Sequence, residues 1–172
     1  MNSNTCRNTI SMYVLMLLVV LTSCTTTRVY IVRHAEKAPA AAGPMMSSDV
    51  PLSDAGYQRA EKLKALLAGK NMVAIYSTQT KRTVSTALPL SELLQVPVQF
   101  YSHRDTLPAF IERVRKVKKG TVLIVGHSNT VDDLVNQLMN QSLLQDLPET
   151  EYDNLFLVTR KGTKWYLRRK KY

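Results

Sequence analysis

Short apolar runs alternate with segments of helical period along most of the chain, and two of those runs end on a histidine. Val29-Tyr30-Ile31-Val32 leads into Arg33-His34, and Thr121 to Gly126 leads into His127. Runs this short and rich in branched residues read as buried strands, and strands separated by helices of about 10–15 residues imply βαβ units. The pattern predicts a three-layer α/β/α fold on a mostly parallel sheet. In such sheets ligands bind outside the carboxyl ends of the strands. Both histidines are therefore expected at one crevice, although nearly a hundred residues separate them.

The remaining elements follow the same alternation. Ser53 and Asp54 start a helix with Ala60, Leu63, Leu66 and Leu67 on one face and Gly69 near its end. A strand over Met72–Tyr76 and a helix from about Thr80 to Leu94 come next, with Pro89 expected to kink or split the helix. Val96–Tyr101 reads as a strand and Leu107–Val117 as a basic amphipathic helix. After His127, the apolar residues Val131, Leu134, Val135 and Leu138 keep helical spacing. Leu155–Thr159 and Lys164–Arg168 read as a hairpin around Lys161-Gly162-Thr163. Residues 38–51 form a loop rich in Ala, Gly, Pro and Ser. Strand order is not readable from this pattern.

The first residues concern location. Arg7 precedes an unbroken apolar run from Met12 to Leu21, which ends in Leu21-Thr22-Ser23-Cys24. An apolar run of this length suits a signal-peptide core, while a spanning helix needs about 20 apolar residues. Leu-Thr-Ser-Cys resembles the lipobox of bacterial lipoproteins, whose signal peptidase cuts before a lipidated cysteine. That resemblance implies a signal peptide over residues 1–23 and a single domain over 24–172. The domain would be exported and held by lipid on Cys24 to a membrane, facing the periplasm or the cell exterior. Cys6 and Cys24 are the only cysteines, so the mature domain has no disulfide, thiol nucleophile or cysteine metal site.

Charge narrows the partners. The chain carries 23 basic and 13 acidic side chains, a formal net charge of +10. Arg160 to Lys171 holds seven basic residues and no acid, and Arg113 to Lys119 adds five more. Such runs serve as solvated faces, or contact anionic headgroups in a tethered protein. They also steer phosphorylated substrates toward the domain. Trp165, Tyr166 and Tyr172 are too few and too strand-like for base stacking, so no nucleic-acid partner is expected.

Three segments carry chemistry. A neutral imidazole can form covalent intermediates, and an arginine fork suits phosphate oxygens; Arg33-His34 offers both at a strand end. Tyr76 to Thr83 follows the second strand and brings Arg82 into the first turn of a helix. His127 precedes Ser128-Asn129-Thr130, whose side-chain oxygens can cap the next helix, and whose helix start is a natural anion site. No metal-ligand cluster is visible, and no cofactor is implied.

Together these segments resemble the histidine phosphatase superfamily, also called phosphoglycerate mutase-like. Its Arg-His-Gly/Ala-Glu opening corresponds to Arg33-His34-Ala35-Glu36, and its Pro-Leu-Thr/Ser-x-x-Gly element to Pro51-Leu52-Ser53-Asp54-Ala55-Gly56, running on to Ala60. Its second arginine element corresponds loosely to Ser77 through Ala87, with Arg82 and Thr86. Its Gly-His-Ser segment corresponds to Gly126-His127-Ser128. The resemblance implies a phosphatase acting on a phosphomonoester or phosphoanhydride, with His34 as nucleophile. Arg33, Arg82 and His127 would hold the phosphoryl oxygens, and Ser128 would take part in binding.

Larger family members place a glutamate acid beyond the second arginine. Here Tyr101 to Thr106 contains no glutamate, which leaves Asp105 as the candidate acid with Glu36 behind it. His103 reads as an incidental loop residue. Mutases of the family are longer, and an exported protein meets few glycolytic intermediates, so a phosphatase fits better. A different class stays open: a non-catalytic, tethered module that binds phosphate or polyanions.

Overall fold

The computed structural model describes residues 26–39 and 49–172. The signal-like segment and Cys24 lie outside these residues, as does most of the loop after Pro39.

Six strands form one sheet in the order β3-β2-β4-β1-β5-β6. They are β1 (Thr26–Arg33), β2 (Met72–Ser77), β3 (Val98–Phe100), β4 (Gly120–Gly126), β5 (Asn154–Lys161) and β6 (Lys164–Lys171). The first four in space run parallel, while β5 and β6 are antiparallel to their neighbours. The expected mostly parallel sheet is present.

Four helices cover it: α1 (Asp54–Leu67), α2 (Lys81–Leu94), α3 (His103–Arg115) and α4 (Val131–Met139). Period-two alternation divides the core between the two faces. Val29 and Ile31 of β1 pack with Val122 and Ile124 of β4 against Phe110, Leu134 and Leu138. Tyr30, Val32, Leu123 and Val125 point the other way, onto Leu63, Leu67 and Leu90. Both central strands are buried on both faces, which is why they read as continuous apolar runs rather than alternating ones.

Several boundaries differ from the sequence expectation. Helix α2 runs unbroken through Pro89, because Thr83, Thr86, Ala87 and Leu90 are buried along its inner side and hold it in place. β3 is shorter than expected, since Pro97 removes a ladder donor just before it. α3 begins at His103 rather than Leu107. The hairpin arms extend further, to Lys161 and Lys171, because β5 is paired on both sides.

The site lies where β1 and β4 end together. Arg33 is in register with Gly126, so the residues that follow, His34 and His127, emerge side by side.

Candidate active site

His34 follows the last residue of β1 and is tied to β4 by its backbone N–H, which donates to the Gly126 carbonyl at 2.8 Å. His34 is 3 % exposed. His34 Nδ1 lies 2.7 Å from the Ala35 carbonyl oxygen. A carbonyl can only accept, so Nδ1 carries the proton and Nε2 keeps its lone pair. Burial lowers the His34 pKa to about 3 against the opposing hydrogen bond to Ala35, with Arg33, His127 and Arg82 adding positive charge. The ring is neutral at neutral pH.

His127 sits edge-on to His34, with ring centroids 5.4 Å apart. Burial and then the charges of Arg82 and Arg33 lower its pKa to about 4. Arg82 Nη2 lies 3.5 Å from His127 Nδ1. A guanidinium only donates, so Nδ1 accepts and Nε2 carries its proton toward Thr78 Oγ1, at 2.9 Å. Thr78 passes the chain on to Thr83 Oγ1 at 3.0 Å.

Two motif residues act on the backbone of the site. Thr86 Oγ1 accepts from the Ala35 amide at 2.9 Å and donates to the Arg82 carbonyl at 2.7 Å. One hydroxyl therefore joins the turn that orients His34 to the helix that carries Arg82. Gly56 is required by close approach, because a Cβ there would stand 2.2 Å from the Glu36 carbonyl oxygen. Gly126 is similar: a Cβ would meet Thr130 Oγ1 at 2.8 Å and the Tyr101 hydroxyl at 3.0 Å.

These elements enclose a cleft of about 510 Å³ lined by Arg33, His34, Arg82, His127 and Ser128, with Lys37, Thr78, His103 and Glu149 also on its wall. Every oxyanion-binding residue expected from the sequence is thus brought to one place. Three expectations need correction.

Glu36 is no proton donor to this cleft. Arg59 grips its carboxylate through Nε and Nη2 at 2.6 to 2.9 Å. Burial would raise its pKa, but the Arg59 hydrogen bond and charge outweigh that and lower it. Thr130 does not cap α4 with its side chain. Its Oγ1 folds back to accept from the His127 amide at 2.8 Å. His103 is not incidental: it begins α3, lines the cleft, and places Nε2 3.0 Å from Asp133 Oδ2. Asp105 falls in the first turn of α3, and its side chain lies outside the described residues.

Sequence reasoning missed the segment before β5. Tyr152 stacks its ring under the Arg33 guanidinium, 4.2 Å from the centroid, and lies 5.9 Å from the His34 ring. Arg33 is 1 % exposed. Its Nη1 donates to the carbonyls of Pro148 and Glu149 at 3.0 and 2.9 Å, and its Nη2 to Glu149 Oε2 at 2.7 Å. Glu149 also accepts from Ser128 Oγ. The Ser128 hydrogen bond, followed by the charge and hydrogen bond of Arg33, holds the Glu149 carboxyl below the usual range despite partial burial. A cluster of acids and a tyrosine just before a strand was visible in the sequence, but the adjacency of β5 to β1 was not.

Comparison with known families adds the decisive observation. The family model described as histidine phosphatase superfamily (branch 1) matches residues 29–103. Over these residues the chain is similar to the histidine phosphatase superfamily. No curated protein matches the chain by sequence.

Solved phosphatase structures share the fold across nearly their whole length. The protein histidine phosphatase SixA complexed with tungstate is 18 % identical with a TM-score of 0.66, covering 84 % of this chain and 96 % of that one. Phosphoserine phosphatase from Entamoeba histolytica, in complex with 3-phosphoglyceric acid, is 12 % identical with a TM-score of 0.64, covering 85 % and 98 %. A mycobacterial glucosyl-3-phosphoglycerate phosphatase is 15 % identical with a TM-score of 0.60, covering 83 % and 97 %.

Proposed function

We propose that the chain is a phosphatase that hydrolyses a phosphomonoester or phosphoanhydride through a phosphohistidine on His34. The observation that carries this reading is the state of His34: a neutral ring, its proton pinned at Nδ1, beside two arginines and a second histidine. Nε2 attacks phosphorus as the bond to the leaving oxygen breaks, and that oxygen takes up a proton. Water then attacks the phosphohistidine, the P–N bond breaks, and inorganic phosphate leaves. Arg33, Arg82 and His127 stabilise the oxygens that gain charge in each step. Asp105 is the proposed proton donor. The neighbour solved with tungstate, a phosphate-like oxyanion, agrees with a phosphoryl site.

Hydrolysis of an aryl phosphate by wild type, compared with His34→Ala, tests the proposal. The variant should lose at least a thousandfold of the activity, and wild type incubated with substrate should carry an acid-labile phosphate. Equal hydrolysis by both proteins would overturn the His34 mechanism, and none by either would leave only a phosphate-binding module.

The domain is also proposed to be exported and tethered through lipid on Cys24. Supporting this, β1 begins at Thr26, two residues after Cys24 and at the end of the strand opposite His34. Around that entry, Arg28, Lys70 and Lys119 line one groove, and Arg28, Lys161 and Arg168 line the next. Among the described residues, no acidic one lines either groove. A basic end beside the tether suits an anionic membrane and leaves the cleft facing away from it. Cys24→Ser should abolish incorporation of labelled fatty acid and release the protein from the membrane fraction; retained label would overturn the tether.

A further inference from the structure

Glu149 stands on two of the groups expected to hold the substrate's phosphoryl oxygens. One carboxylate oxygen takes Arg33 Nη2 at 2.7 Å, and the other takes the hydroxyl of Ser128. Lys37 Nζ lies 3.9 Å from the first oxygen. The carboxylate thereby bridges the ends of β1 and β4 at the cleft that His34, Arg82 and His127 also line.

The Arg33 side makes the arrangement informative. The Nε–H and one Nη2–H of a guanidinium point the same way and form a fork for two oxygens. Nη1 is committed to backbone carbonyls of the Pro148–Glu151 turn. Glu149 fills only the Nη2 prong, because its second oxygen is on Ser128. Among the described residues Arg33 Nε is buried without a hydrogen-bond partner. Unmade hydrogen bonds of buried donors are costly and rare. A fork of this kind, buried and half-filled by a single carboxylate oxygen, matches a ligand with more oxygens than a carboxylate offers.

The cover is also easy to remove. The Arg33 side chain is 1 % exposed, but that of Glu149 is 66 % exposed, so the carboxylate can swing into water while the guanidinium stays.

We propose that Glu149 is an internal anion that holds the phosphoryl subsite of the free protein and is exchanged for the phosphoryl group of the substrate. The exchange gives Arg33 both prongs of its fork and frees the Ser128 hydroxyl for a phosphoryl oxygen. Glu149 therefore sets the affinity of the subsite by competing for it, and by repelling any anion that arrives while it is in place. This inference rests on the reading of the cleft as a phosphoryl site, and it does not require turnover.

The test is calorimetric titration of the full chain with inorganic phosphate, for wild type and Glu149→Gln. The amide keeps the shape and can still accept from Arg33, but it lacks the charge. Glu149 is the exposed half of the pair, 66 % against 1 % for Arg33, and pairs that reach solvent are weak, so removing its charge should tighten phosphate binding by up to roughly fivefold. Glu149→Ala, which removes the competing group altogether, should tighten it at least as much. Unchanged or weaker phosphate binding in both variants overturns the proposal. So does a loss of aryl phosphate turnover in Glu149→Gln without a gain in phosphate affinity, because Glu149 would then act on the substrate rather than stand in for it. Failure of the phosphatase reading is seen separately, as equal turnover by wild type and His34→Ala.

Discussion

Thr86→Val tests whether one buried hydroxyl couples stability to the orientation of the nucleophile. Thr86 is 1 % exposed, and valine matches its shape while removing both of its hydrogen bonds. The Ala35 amide loses its acceptor, at 2.9 Å in the native protein, with no route to water. The Arg82 carbonyl loses a donor at 2.7 Å, but keeps the option of its helical partner. Leaving one buried N–H unsatisfied costs about 1–3 kcal/mol, so ~2 kcal/mol is expected. In a domain of this size that lowers the unfolding temperature by roughly 4–8 °C.

The functional cost arises one bond away. The carbonyl of the same Ala35 holds His34 Nδ1–H at 2.7 Å, so a shift of Ala35 turns the ring away from its line of attack. Small displacements of reacting groups cost up to about a hundredfold, and turnover of an aryl phosphate should fall roughly tenfold or more. Thermal unfolding followed by circular dichroism and steady-state kinetics on the same preparation give both numbers. Thr86→Ser restores the hydroxyl and should recover most of each. A Val variant with native unfolding temperature and native turnover would refute the coupling.

The histidine charge states predict acid sensitivity. Folded-state values of about 3 for His34 and about 4 for His127 lie below the unfolded value near 6.5. The unfolded chain therefore binds more protons, and stability is fully present above about pH 6.5 and is lost as pH falls toward 4 and 3. Denaturant midpoints measured from pH 7 to pH 4 should decline, and His34→Asn should flatten part of the decline. Glu36→Gln should leave aryl phosphate turnover within about threefold of wild type while costing ~1–2 kcal/mol, because its carboxylate serves Arg59; a collapse of turnover with unchanged stability would restore Glu36 as the acid. Gly56→Ala forces a methyl against the Glu36 carbonyl oxygen, 2.2 Å from the ideal position, and overpacking of this kind costs about 1–3 kcal/mol. An unfolding temperature equal to wild type would show that the contact gives way freely.

The sequence alone determined what is local. Buried central strands need continuous apolar runs, so β1 and β4 announced themselves, and the residues just beyond them had to lie at the sheet's carboxyl edge. Arg82 was legible for the same reason, since a strand end followed by a helix start fixes its place. Motif spacing located Gly56 and Thr86, though not what they touch. Tertiary structure decided everything that depends on which strands are neighbours. β5 returns antiparallel along β1, and that pairing alone sets Glu149 and Tyr152 against Arg33, more than a hundred residues away. The partner of Glu36 was equally hidden, because Arg59 reaches that loop residue from α1. A lone arginine in the chain reads as an empty fork; only the fold shows that a carboxylate of the same chain already holds one prong.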